Sequence, residues 1–99
     1  MVRATTPTFE LTIPDSVDLT TAERIVFSLA QDSLQIDKEG EDIVIDGNVV
    51  SVYLTQEETL NLSVGTAQIQ LNWSYPTGKR MCSEIVRISI TDNLFNEVM

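Results

Sequence analysis

Five carboxylates lie around Gly40 and form the densest group of side chains able to bind a cation: Asp37, Glu39, Glu41, Asp42 and Asp46. Calcium prefers about six to eight oxygen ligands, often carboxylates held on a loop. The spacing differs from that of the EF-hand loop, and Lys38 lies among the acids. Two interpretations stay open: a solvated acidic loop, which we favour, or a calcium site whose candidate ligands are Asp37, Glu39, Asp42 and Asp46.

Paired carboxylates can also hydrolyse glycosides, but one of the two then needs a cleft that raises its pKa. A domain of 99 residues offers little room for such a cleft. The chain has no histidine, which removes the commonest general base at neutral pH and the commonest zinc ligand. A serine or threonine nucleophile would have only Lys38 or Lys79 to activate it. We therefore predict no catalytic residue and no cofactor, and we interpret the protein as a non-enzyme.

The single cysteine, Cys82, cannot form a disulfide within the chain. It lies in a strand-like run over residues 81–85, and no histidine is present to lower its pKa. This context predicts a buried and unreactive thiol.

Aromatic and amide side chains are the remaining candidates for binding. Trp73 alternates in phase with Leu71, which predicts a core position rather than a ring exposed to stack on a sugar. Tyr53 is out of phase with the apolar residues around it, so we expect its ring on an outer face, with Val49 beside it. Gln70 is expected on the polar face of the longest strand, where it could pair with a neighbouring strand or with another subunit. The predicted contact residues are Tyr53, Gln70 and Val49.

An alternation of apolar and polar residues predicts the elements that position these side chains. It is clearest over residues 66–75, where every second residue is apolar. A period of two is typical of a strand with one buried and one solvated face. Alternation or short apolar runs predict further strands over residues 8–13, 25–29, 34–36, 43–45, 50–54, 60–63 and 86–90.

Turn residues separate the predicted strands. Gly47 and Asn48 follow Asp46 between two apolar runs and predict a tight hairpin, because both residue types tolerate positive φ. Pro76 and Gly78 predict a turn that links two of the longest strands.

Capping-box spacing occurs twice, in residues 55–58 and in residues 20–23, and each place is predicted to form one helical turn at a sheet corner. Seven or eight short strands separated by turns are typical of two packed antiparallel sheets. We therefore predict an all-β fold, an immunoglobulin-like antiparallel β-sandwich that occupies residues 1–99 as a single domain.

The charge and hydropathy of the chain exclude several classes of partner. A net charge of −9 and a pI near 4.1 disfavour binding to nucleic acid or to anionic lipid. No apolar run approaches the roughly 20 residues of a membrane-spanning helix. The N-terminal residues also lack the apolar stretch of a signal peptide, so synthesis in the cytoplasm is expected.

Several short motifs carry a resemblance to a group of phage proteins. They are the run Thr5-Thr6-Pro7-Thr8, the segment LTQEET over residues 54–59, Gln70, Gly78 and Ser83. In this order they resemble small proteins encoded by tailed phages and prophages of Gram-positive bacteria, which are also similar to the sandwich modules of upper-baseplate proteins.

The resemblance implies a structural or accessory protein of a phage tail or baseplate, without catalytic residues. Its partners would be other phage structural proteins or further copies of itself, most simply in a homo-oligomer. It would be made in the host cytoplasm and then join the virion. A different interpretation is an adhesion or carbohydrate-binding sandwich at a cell surface, which requires an exposed aromatic platform.

Overall fold

Eight strands make up most of the regular structure in the computed structural model, which describes residues 1–99. Their bounds are β1 Thr8–Thr12, β2 Arg24–Gln31, β3 Leu34–Glu39, β4 Ile43–Asp46, β5 Val49–Tyr53, β6 Gly65–Ser74, β7 Arg80–Cys82 and β8 Val86–Ile90. One helical turn, α1, spans Gln56–Leu60, and a 3-10 turn spans Gly40–Asp42. None of the helical segments is long and apolar enough to cross a membrane. The predicted all-β class is confirmed.

The strands form two antiparallel sheets of unequal width. The smaller sheet has the order β1-β5-β4, and the larger has the order β3-β2-β6-β7, with β8 also paired to β6. Since β2 pairs with one edge of β6, both β7 and β8 must occupy its other edge. The five-stranded sheet is therefore four strand positions wide, while the smaller sheet has three. The predicted antiparallel sandwich is confirmed.

The core consists of the inward-facing apolar residues of both sheets. Phe27 pairs with Leu71 and Leu29 with Ile69, so these side chains point to the same side of the larger sheet. The rings of Phe9 and Phe27 stack between the sheets, with centroids 5.8 Å apart and planes inclined by 22°. This contact places β1, an edge strand of the smaller sheet, over β2.

The hairpin predicted at Gly47 and Asn48 joins β4 to β5. Gly47 has a φ of 59°, in the region that favours glycine. Asn48 contributes through its side chain instead, because its Nδ2 group donates to the carbonyls of Ile13 at 3.0 Å and Pro14 at 2.9 Å. The turn is thereby tied to the end of β1.

Only one of the two predicted capping boxes begins a helix. The Glu58 N–H donates to Thr55 Oγ1 at 3.3 Å, and the Thr55 N–H donates to Glu58 Oε1 at 2.9 Å. The helical turn predicted at residues 20–23 is wrong, because Asp18 Oδ1 accepts from both the N–H and the hydroxyl of Thr20, at 2.9 and 2.6 Å. These bonds fold residues 18–20 into an Asx turn, which the Asp18 side chain closes, instead of a helix.

The strand predicted over residues 60–63 is also wrong. Leu60 ends α1, and the Leu62 N–H donates to the Thr59 carbonyl at 3.2 Å, so the chain continues to turn there. Leu62 is fully buried, which explains why the segment is apolar without being a strand.

The segments TTPT and LTQEET lie against each other. Thr59 Oγ1 accepts from the Thr5 N–H at 3.0 Å and lies 2.7 Å from the Thr5 carbonyl, to which it can donate. The Leu54 N–H donates to the Pro7 carbonyl at 3.1 Å. These hydrogen bonds hold the TTPT segment, which leads into β1, against the LTQEET segment, which follows β5 and includes most of α1.

Cys82 is exposed, so the predicted buried thiol is wrong. In β7, Met81 pairs with Trp73 on the inner face, whereas Cys82 pairs with Asn72, whose side chain faces outward. The alternation of the strand therefore places Cys82 on the outside of the sheet.

Candidate interaction surfaces

The acidic residues around Gly40 do not converge on one point. No group of three or more carboxylate, histidine or cysteine side chains is placed to hold a metal ion. Asp37 and Glu39 lie on the outer side of β3, Asp42 lies in the 3-10 turn, and Asp46 ends β4. The structure therefore does not bring the four candidate calcium ligands together.

Two of these carboxylates are already engaged by neighbouring side chains. Hydrogen bonds from Ser28 at 2.6 Å and from Gln35 lower the pKa of Asp37. Glu39 accepts two bonds from the Arg24 guanidinium, at 2.8 and 2.9 Å, which lower its pKa as well. Both carboxylates take part in cross-strand pairs on the outer face of the larger sheet.

Gln70 lies on that same outer face but is half-buried. Its Nε2 group donates to the Ser83 carbonyl at 3.0 Å, so the amide pairs across strands within the chain. The nearby depression on this face has a volume of about 390 Å³, and polar groups such as Arg80 and Asn72, which bond to each other at 3.1 Å, line it. The face offers neither a deep cleft nor an apolar patch.

Tyr53 and Val49 lie on the outer face of the opposite, smaller sheet, as predicted. Tyr53 is 52% exposed, and Val44 on β4 is 64% exposed. In the register of the sheet, Val44 pairs with Ser51, which lies midway between Val49 and Tyr53 on β5. We call the surface formed by Val44, Val49, Ser51 and Tyr53 the Tyr53 face. Gln70 lies on the other sheet and is not part of it.

Val44 and Ser51 are the members of the Tyr53 face that were not among the predicted contact residues, and Val44 is the apolar one of the two. Its neighbours Ile43 and Ile45 are apolar too, so the segment has no visible alternation. The hairpin supplies the missing signal, because pairing of β4 with β5 fixes the side of the sheet to which each residue points.

The aromatic residues do not form a platform for a sugar. Trp73 is 3% exposed and belongs to the core, which confirms its predicted position. Tyr75 is half-buried, and its hydroxyl donates to the Asp18 carbonyl at 2.8 Å. The only strongly exposed tyrosine is Tyr53, on the other sheet.

A second apolar surface lies between the sheets, along the free edge of β1. It is a groove of about 700 Å³ whose apolar lining includes Leu11, Ile13, Ile69, Trp73, Met81 and Val86. We call it the open-side groove. Glu10 and Glu84 also line it, and none of its lining residues is basic.

Comparison of the chain with models of protein families and with curated proteins yields no match.

Proposed function

We propose that the protein is a structural or accessory component of a phage or prophage particle, associated with the tail or baseplate, that acts by contacting proteins rather than by catalysis. In this proposal the sandwich is an immunoglobulin-like module that associates with copies of itself and with other particle proteins.

The Tyr53 face is the observation that carries the proposal. Val44 and Tyr53 expose large side chains at diagonally neighbouring positions of β4 and β5 on one face of the smaller sheet. Exposed apolar patches with polar surroundings are typical of protein contact sites. The resemblance of the TTPT and LTQEET segments to phage proteins supports a particle as the place of that contact.

Mass spectrometry of purified particles tests the virion part of the proposal. Particles induced from a lysogen that encodes the chain should contain it at a stoichiometric level after washing in high salt. Absence of the chain from intact particles, with the free protein present in the lysate, would contradict the proposal.

Substitution of Tyr53→Glu tests the contact surface. We expect the self-association constant measured by sedimentation equilibrium to fall at least about tenfold, because a charge replaces the largest exposed side chain of the patch. The matched control is Val64→Glu, which adds the same charge at a 59% exposed valine between α1 and β6. Equal association constants for the two variants would exclude the Tyr53 face as the contact surface.

A further inference from the structure

The open-side groove lies where the two sheets differ in width. The Phe9–Phe27 contact places β1 over β2, and beyond β1 the larger sheet continues through β6 to the edge formed by β7 and β8. Neighbouring strands lie about 4.8 Å apart, so this edge extends well past the last strand of the smaller sheet.

Val86 shows the consequence for the core. It pairs with Ile69, which is buried on the inner face, so the side chain of Val86 must point inward as well. Val86 is nevertheless 46% exposed, whereas Ile90 on the same face of the same strand is buried. The inner face of this part of the larger sheet therefore lacks a covering strand.

The edge of β1 that borders the groove is free for backbone pairing. The Ile13 N–H donates to the Asn48 carbonyl, and the Pro7 carbonyl accepts from Leu54, which fixes the odd-numbered residues of this segment as those bonded to β5. In an antiparallel ladder the intervening residues direct their N–H and C=O groups to the other side. Thr8, Glu10 and Thr12 thus present an unpaired edge next to the groove.

Trp73 is the buried aromatic residue in the lining of the groove. Its side chain lines the groove and is almost fully buried, yet its Nε1–H has no hydrogen-bond partner. A buried donor without an acceptor is rare in folded proteins.

We propose that the open-side groove receives an extended segment of another protein, which adds a strand to β1. Its inward side chains are apolar and cover Val86, and its outward side chains are basic, because the residue opposite Glu10 shares the outer face with that carboxylate. Glu84 on the other wall favours the same charge, and no lysine or arginine lines the groove.

A second copy of this chain fits the groove less well. Pairing of two β1 strands would bring Glu10 and Glu84 of both copies to one seam, without a cation among the lining residues. Like charges directly opposite each other on neighbouring strands are destabilising. The inference rests on the proposed function in one respect: the extended segment is taken to belong to another protein of the particle.

Titration with a synthetic peptide tests the inference. The probe is a capped nine-residue peptide in which valine and lysine alternate. One control peptide has glutamate in place of every lysine. The other has the same valines and lysines as the probe, but with the valines grouped together. Trp73 is the only tryptophan, so its fluorescence and its single indole N–H resonance report directly on the groove. We expect a saturable change with the alternating lysine peptide and at least tenfold weaker binding of both controls.

Two variants separate the groove from general attraction to an acidic protein. Val86→Lys should weaken binding of the lysine peptide at least tenfold, whereas Val64→Lys, with the same added charge outside the groove, should change it less than threefold. The double variant Glu10→Lys/Glu84→Lys should reverse the preference, so that the valine–glutamate peptide binds more tightly. The reversal does not depend on Val86 and keeps the inference testable if Val86→Lys unfolds.

Four results would overturn the inference. Three are no saturable change, equal binding of the alternating and grouped peptides, and equal effects of Val86→Lys and Val64→Lys. The fourth is a shift of the indole resonance with protein concentration alone, which would assign the groove to a second copy. The proposed function is tested separately, and it fails if the protein is absent from purified particles. If Val86→Lys and wild-type protein enter particles equally, only the groove inference is lost.

Discussion

At the scale of single residues, the most consequential contact is the ion pair between Lys38 and Glu58. The Nζ–Oε1 distance is 2.6 Å, and the two side chains are 10% and 24% exposed. Lys38 faces inward on β3, opposite Phe27, although its neighbours in sequence are acidic and exposed. The pair connects the larger sheet to the capping box of α1, since Glu58 also accepts from the Thr55 N–H.

Replacement of Glu58 by glutamine should destabilise the protein because it leaves the Lys38 ammonium buried without a counter-charge. Loss of one partner of a fully buried pair costs about 3–5 kcal/mol, and we expect roughly 2 kcal/mol here because Glu58 is partly solvated. The double variant Lys38→Met/Glu58→Gln should lose less than Glu58→Gln alone. Urea unfolding of the wild type, both single variants and the double variant measures the coupling, and additive losses would contradict it.

The Glu58 carboxyl should account for part of the loss of folding stability at low pH. Burial acts to raise the pKa of Glu58, but hydrogen bonds from Lys38 and Thr55 and the charge of Lys38 outweigh it, so the pKa lies below its ordinary value of 4.5. A carboxyl with a lowered pKa stabilises the folded state above its ordinary pKa, and this contribution is lost as the pH falls through the lowered value. The unfolding free energies of wild type and Glu58→Gln should therefore converge as the pH falls below 4.5, the ordinary pKa of a glutamate side chain. A constant difference down to the lowest pH at which both fold would refute this explanation.

Thr59 connects two chain segments through one hydroxyl. Thr59→Val keeps the shape of this fully buried side chain but leaves the N–H and the carbonyl of Thr5 without their partner. We expect a loss of about 1–3 kcal/mol in the free energy of unfolding. The control Thr66→Val, at an exposed position of β6, should stay within about 0.5 kcal/mol of wild type. Equal stability of the two variants would show that the hydroxyl bonds contribute little.

At the scale of elements, the break between β7 and β8 depends on Ser83. The Ser83 N–H donates to the Leu71 carbonyl at 2.8 Å, and the Leu71 N–H donates to Ser83 Oγ at 2.9 Å. The hydroxyl thus takes the place of a strand carbonyl, so β6 keeps its bonding while the neighbouring strand is interrupted.

Ser83→Ala should leave the N–H of buried Leu71 without an acceptor, at a cost of about 1–2 kcal/mol. Amide hydrogen exchange at Leu71 should accelerate about five- to thirtyfold, in line with that cost. The control is Ser89→Ala on exposed β8, which removes no bond of this kind. Unchanged exchange at Leu71 would mean that water or local relaxation satisfies the group.

The strands could be predicted because alternation is a local property, and the structure contains a strand at every strongly alternating segment. The failures occur where a local pattern has two solutions. Leu62 is apolar because it is buried in a turn, although a buried strand would show the same residue type. Thr20 has the spacing of a capping box, but it bonds to Asp18 instead of capping a helix. The face of Cys82 could not be predicted because both Met81 and Cys82 are apolar, and only the pairing of Met81 with the buried Trp73 shows that Cys82 faces outward.

At the scale of the whole molecule, the candidate surfaces were only half predictable. Alternation alone places Tyr53 and Val49 outside, but their assembly with Val44 requires the β4–β5 register. The open-side groove could not be predicted, because it depends on which strands end each sheet and on how far one sheet extends past the other. These are properties of the strand order, which residues distant in sequence determine.

The strand order also affects how the chain reaches its native state. β1 pairs with β5 and β2 pairs with β6, so each pairing joins segments from different halves of the chain, and only β2–β3, β4–β5 and β6–β7 are hairpins between consecutive strands. Proteins dominated by distant strand pairings fold in roughly milliseconds to seconds, because the entropy of closing long loops is lost before the contacts form. Until β1 pairs with it, β5 has an unpaired edge, and unpaired strand edges allow misassembly with neighbouring chains.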